Sequence, residues 1–186
     1  MVSRSFMRRA TLLAVLPMLA LGVFAGMATA QDRATGLRID SNRPVEIEGD
    51  KLEVMEDQSM AVFDGNVRVS QGNTVLRTGR LVIHYAGGSA ASGSITGGGS
   101  SIERLEASRG VNIQSETQVA TGDTGTFDMA SEVLVLSGKR VTLTEGGNVA
   151  TGCKLTVSMK TGRATLSGCG GSGGRPTILL QPSSKN

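Results

Sequence analysis

Beyond residue 44 the chain repeats itself, and within each repeat apolar and polar residues alternate with a period of two. Four segments superpose: IEGDKLEV from Ile47, RTGRLVIHY from Arg77, ATGDTGTFD from Ala120 and ATGCKLTVS from Ala150. Their aligned glycines are Gly49, Gly79, Gly122 and Gly152. Between them lie FDGNVRVSQG from Phe63, ASRGVNIQSE from Ala107 and LSGKRVTLTEGG from Leu136, whose turn glycines are Gly65, Gly110 and Gly138. Alternation turns one face inward and the other to water. Short strands punctuated by turn signals such as Gln71-Gly72-Asn73 and Gly146-Gly147-Asn148 predict an all-β sandwich, barrel or roll. The repeats predict a strand pair stacked about four times, burying an apolar stripe that no single unit could bury alone. Such a stack leaves its first and last strands open to another strand. The long interval between repeats is accounted for by AGGSAASGSITGGGSS, Ala86 to Ser101, a flexible loop by composition.

Charge separates the first 30 residues from the rest. Arg4, Arg8 and Arg9 precede an apolar run, and Ala28-Thr29-Ala30 closes it before Gln31. This is the pattern of a secretory signal peptide. Beyond it basic and acidic residues balance, so the basic composition belongs to the leader and gives no support to nucleic-acid binding. The reading is therefore a signal peptide over 1–30, a polar lead-in over 31–43, a β domain over 44–167, and a Gly-rich segment with the C-terminal edge over 168–186. An apolar run of this length is also compatible with a retained membrane anchor.

The remainder is poorly equipped for chemistry. One His and two Cys leave little for a zinc site or a His-activated nucleophile, so neither enzyme, metal nor cofactor is expected. A polysaccharide hydrolase would need paired carboxylates on one exposed face, and here the outward acids have no aromatic sugar platform. Inward candidates are mostly Val, Ile and Leu, which suits a partly filled trough for a long apolar ligand.

Three segments in order carry a family resemblance: Pro44-Val45-Glu46-Ile47-Glu48-Gly49-Asp50-Lys51-Leu52, then Ala61-Val62-Phe63-Asp64-Gly65-Asn66-Val67-Arg68-Val69-Ser70-Gln71-Gly72, then Leu81-Val82-Ile83-His84-Tyr85. Together they resemble the OstA-like family of periplasmic lipopolysaccharide transport proteins, over about Arg43 to Leu166. The resemblance implies a twisted, open, V-shaped antiparallel β-jellyroll with an apolar groove, no catalytic activity and a periplasmic location. It implies a bridge that carries lipopolysaccharide from the inner to the outer membrane. Such a bridge assembles head-to-tail with further copies, with an LptC-like inner-membrane component and with an LptD-like outer-membrane component. The alternative is an LptC-like component that keeps its N-terminal helix as an anchor. Val45, Ile47, Ile113 and Phe127 match groove positions, and inward parity adds Leu52, Val67, Val69, Leu81, Ile83, Val111, Val141 and Leu143.

Four further expectations rest on the residues themselves. His84, of opposite parity to Ile83 and Tyr85, is expected to face water. The acids Glu46, Glu48, Asp50, Glu53, Glu56 and Asp57 are expected on a solvated face. Arg77, Arg80, Arg104 and Arg109 could meet lipid phosphates at a groove rim, but surface arginine is common on any sheet and they are expected as ordinary surface residues. A three-residue loop centred on Thr161 would place Cys153 directly opposite Cys169, and an oxidising compartment would let them form a disulfide.

Overall fold

In the computed structural model, residues 43–85, 102–170 and 174–182 are described. Chain packing divides the protein into Met1–Gln31 and Asp32–Asn186, and every described residue belongs to the second unit. The expected signal peptide, most of the lead-in and the 86–101 loop lie outside the described residues.

Eleven strands form one antiparallel sheet among the described residues. They are β1 (Glu46–Glu48), β2 (Lys51–Met55), β3 (Met60–Gln71), β4 (Thr74–Tyr85), β5 (Ile102–Ser115), β6 (Gln118–Gly122), β7 (Thr124–Asp128), β8 (Val133–Glu145), β9 (Asn148–Ser158), β10 (Arg163–Ser167) and β11 (Thr177–Leu179). One 3-10 turn, Glu56–Gln58, joins β2 to β3.

The repeats are strands that cross a corner. Five long strands run through it, and the short strands come in pairs, one on each side. β1 pairs with residues 68–70 of β3 and β2 with residues 60–64. β6 and β7 divide β5 and β8 between them in the same way, and β11 and β10 divide β9. The result is two walls meeting along a line of glycines, each wall eight antiparallel segments wide among the described residues. The first wall runs β1, β3, β4, β5, β6, β8, β9, β11 and the second β2, β3, β4, β5, β7, β8, β9, β10.

Glycine at the corner has identifiable physical causes. Register shifts fall between Asp64 and Val67, Thr78 and Arg80, and Ser137 and Val141, beside Gly65, Gly79 and Gly138. Bulges of this kind bend a strand and increase its twist. Gly110 has φ +85°, which L side chains rarely adopt. At Gly152 a Cβ would stand 2.5 Å from the Ser167 carbonyl oxygen of the neighbouring strand. Arg109 also takes φ 65°, and its guanidinium holds Asp64 with two bonds, Nη1–Oδ1 3.0 Å and Nη2–Oδ2 2.8 Å. That bidentate pair stabilises a backbone conformation that is otherwise costly for a non-glycine residue.

The core lies between the walls. Leu81, Ile83, Leu134, Leu136, Leu155 and Val157 from the second wall are almost fully buried with Ile113, Val67 and Val141 from the first. Each such side chain contributes about 1.5–3 kcal/mol.

The last hairpin departs from the expected register. Arg163 faces Ser158 and Ser167 faces Lys154, so the loop is the four residues 159–162 rather than three. That ladder, continued, sets Cys153 across from Gly168. The Met159 amide donates to the Glu132 carbonyl, and Gly162 turns the chain with φ 65°. The strand ends at Ser167, and the chain leaving it brings Cys169 to Cys153, with Cα atoms 5.0 Å apart and the two sulfurs joined.

Candidate lipid groove

Cross-strand partners share a face, so the inner surface reads directly from the register. In the first wall one row is Ile47, Val69, Leu76, Ile113, Ala120, Leu143, Ala150 and Ile178, apolar from one edge strand to the other. The second wall supplies two. Leu52, Phe63, Leu81, Ala107, Gly125, Leu136, Leu155 and Leu166 form one, and Val54, Ala61, Ile83, Leu105, Phe127, Leu134, Val157 and Ala164 the other. Charged residues are absent from all three rows.

A cleft opens between the walls. From the first wall and its lead-in it is lined by Val45, Ile47, Val69, Gln71, Thr74, Leu76, Val111 and Ile113. From the second it is lined by Leu81, Ile102, Leu105, Ala107, Gly125, Thr126, Phe127, Met129, Leu134 and Leu136. Its free cavity is about 50 Å³.

Of the twelve positions expected in a groove, the cleft gathers Val45, Ile47, Val69, Leu81, Val111, Ile113 and Phe127. The other five stand elsewhere. Val67, Ile83 and Val141 are core residues packed around the cleft, and Leu143 packs against that core. Leu52 is 47% exposed, because β2 is an edge and no strand among the described residues covers the end of its row. Sequence reasoning passed over Leu76, Leu105, Leu134 and Leu136. The Val133-Leu134-Val135-Leu136 run is apolar on both parities, so alternation gives no direction there; Leu105, in Glu103-Arg104-Leu105-Glu106-Ala107, was legible by parity.

The arginines lie on the opposite face. Arg77 is in an outer row with Glu48, Arg68 and Asn112. Arg80 donates to Asp64 Oδ2 at 2.8 Å, where Arg109 also binds. Arg104 stands 3.9 Å from Glu106 and 4.0 Å from Asp128. None of the four borders the cleft, in keeping with ordinary surface arginines of a sheet. Hydrogen bonds from Arg109, then Arg80, hold the Asp64 carboxyl below the usual carboxylate range. The Ser131 hydroxyl and amide do the same for Asp128. His84 is also on the outer face, half-buried, with Nε2 3.5 Å from Glu106 Oε1. Burial pushes the Tyr85 phenol up.

Comparison with known proteins agrees with this architecture. Residues 46–163 match the family described as LptA/(LptD N-terminal domain) LPS transport protein. An uncharacterised protein of Rhizobium meliloti (strain 1021) is 42% identical over 166 residues, covering 88% of this chain and 86% of that protein. An uncharacterised Rhizobium etli protein, encoded 5' of an rpoN-linked probable transport protein, is 54% identical over 48 residues, 26% of this chain and 83% of that one. The crystal structure of LptH from Pseudomonas aeruginosa, described as the LptA homologous periplasmic component of a lipopolysaccharide transport device, superposes with a TM-score of 0.63. The match covers 77% of this chain and 99% of LptH at 19% identity, which speaks for the fold. The chain thus belongs to the LptA/(LptD N-terminal domain) family of LPS transport proteins, a non-enzymatic family.

Proposed function

We propose that this protein is a periplasmic carrier that moves lipopolysaccharide from the inner toward the outer membrane, its acyl chains held between the two walls. The observation that carries the reading is the continuity of the inner rows, apolar from the first edge strand to the last. A groove that runs out at both edges can be extended by another copy or a related partner, whereas a closed pocket cannot. The exposed large hydrophobics among the described residues sit at those edges: Leu52 and Val54 on β2, and Ile178, Leu179 and Leu180 in and beside β11.

Topology favours extension. Among the described residues every neighbouring pair is antiparallel and each wall has an even number of segments, so the last strand of one copy would run antiparallel to the first of the next. In the register that continues the rows, Ile178 would meet Ile47 and Leu166 would meet Leu52 of the following copy. Inner-membrane LptC-like and outer-membrane LptD-like components would occupy the two ends by the same edge pairing. Photo-crosslinking from Ile47 and Ile113 to lipopolysaccharide in cells tests the reading. Adducts from both positions, and none from Glu46 on the outer face, are expected; equal labelling from all three overturns it.

A further inference from the structure

The inner face of the first wall changes character at its rim. One step beyond the row of Ile47, Val69, Leu76, Ile113 and Ala120, the same face carries Gln71, Thr74, Ser115 and Gln118 in neighbouring register. All four are buried, although they lie beside the β3–β4 and β5–β6 turns where a water-facing rim would be unremarkable. Thr74 Oγ1 donates to Ser115 Oγ at 3.0 Å, and Gln71 Nε2 donates to the Arg43 carbonyl at 3.1 Å. Gln118 is 4% exposed, yet its Oε1 has no hydrogen-bond partner among the described residues. The facing rim of the second wall differs: Tyr85, Ile102, Met129 and Met159 pack there against the core.

A buried acceptor without a donor lowers the stability of the folded state, and an apolar side chain would remove the cost. We infer that the Gln71–Thr74–Ser115–Gln118 rim is a binding subsite for the polar head of an acyl chain, in which Gln118 Oε1 accepts a hydrogen bond from a hydroxyl or amide N–H close to the chain's first carbons. The subsite rests on the groove reading above and adds an orientation to it. Gln71 and Thr74 line the cleft itself, and Ser115 and Gln118 continue the same row beyond its lining, so the head of a bound chain lies along that row and its methylenes run inward over Leu76 and Ile113 toward the apolar second wall. A chain with no donor near its head would leave the Gln118 acceptor unpaired and bind more weakly.

The probes are tetradecanoate and 3-hydroxytetradecanoate, of equal length and differing by one hydroxyl, measured by displacement of a fluorescent fatty acid from the intact protein. The wild-type protein is expected to favour the hydroxylated chain about three- to tenfold, the range of one net hydrogen bond. Gln118→Leu should bring the ratio to about one, with thermal stability equal or higher. No preference in the wild type, or a preference that survives in Gln118→Leu, overturns the subsite while leaving the groove standing. Failure of both probes to bind the wild type overturns the groove reading and the subsite with it. If the variant does not fold, the side-chain amide resonances of Gln118 carry the test: they should move with the hydroxylated chain alone, and equal or absent shifts overturn the proposal.

Discussion

At the scale of single residues, parity separates neighbours that differ little in position. Ile47 faces Val69 on the inner surface, while Glu46 faces Ser70 on the outer one. Ile47 is half-buried on an edge strand, so the chain should still fold with a polar residue there. Ile47→Asp places a carboxylate in an apolar cleft at a cost of several kcal/mol, or forces its neutralisation. Lipid binding is expected to fall at least tenfold, with Glu46→Ala close to wild type, in a lipopolysaccharide binding assay; equal effects would refute the inward assignment. Asp64 offers a pH-dependent test. Its folded pKa is lowered by Arg109 and Arg80, so its stabilising contribution is present above the unfolded value of about 3.9 and is lost as pH falls through the lowered one. The melting-temperature difference between wild type and Asp64→Asn should therefore be constant near neutral pH and fade in acid, and added salt should shrink it because the pair is partly exposed.

At the scale of elements, the last two strands are largely exposed and a crosslink lies between them. β10 is exposed along most of its length, and β11 is exposed throughout. Cys153 lies on β9 between the stretch paired with β11 and the stretch paired with β10, and Cys169 lies on the connection between those two strands. A bridge there tethers the crossover from the second wall to the first at the corner. Non-reducing peptide mapping of exported protein is expected to recover the Cys153–Cys169 pair. Replacing both with Ser should lower stability by up to about 3 kcal/mol for a loop of this length, read as a shifted denaturant midpoint. Free thiols in correctly exported protein would show that the edge is held without the bridge.

At the scale of the whole molecule, the described sheet ends in edge strands on both sides, β1 and β2 at one and β10 and β11 at the other. If edges pair, assembly is concentration-dependent and fails when a terminal strand cannot form. Ile178→Pro fixes φ and removes one backbone donor from β11. Sedimentation velocity is expected to show oligomers that grow with concentration in the wild type and a species near monomer size in the variant. Long oligomers of the variant would refute pairing through the C-terminal edge.

Much of this was legible before any coordinates. The aligned glycines Gly49, Gly65, Gly79, Gly110, Gly122, Gly138 and Gly152 carry the repeat because each strand must bend or approach a neighbour closely at the same line, a backbone demand written into residue type. Alternation in Val111-Asn112-Ile113-Gln114 oriented the inner face correctly, because side-chain direction in a strand has a period of two. Which inward residues meet the cleft was beyond that signal. Ile83 and Ile113 have the same local pattern and similar burial, yet the cleft is lined by Ile113 and not by Ile83. Leu52 is inward by parity but exposed, since exposure at an edge depends on how many strands lie beyond it. The one-residue change in the last hairpin and the burial of Gln118 are likewise products of long-range pairing, invisible in a local pattern. Period and glycine spacing set the strands and their faces through local backbone sterics. The depth of the cleft, its polar rim and the ends of its rows come from contacts between residues far apart in the chain.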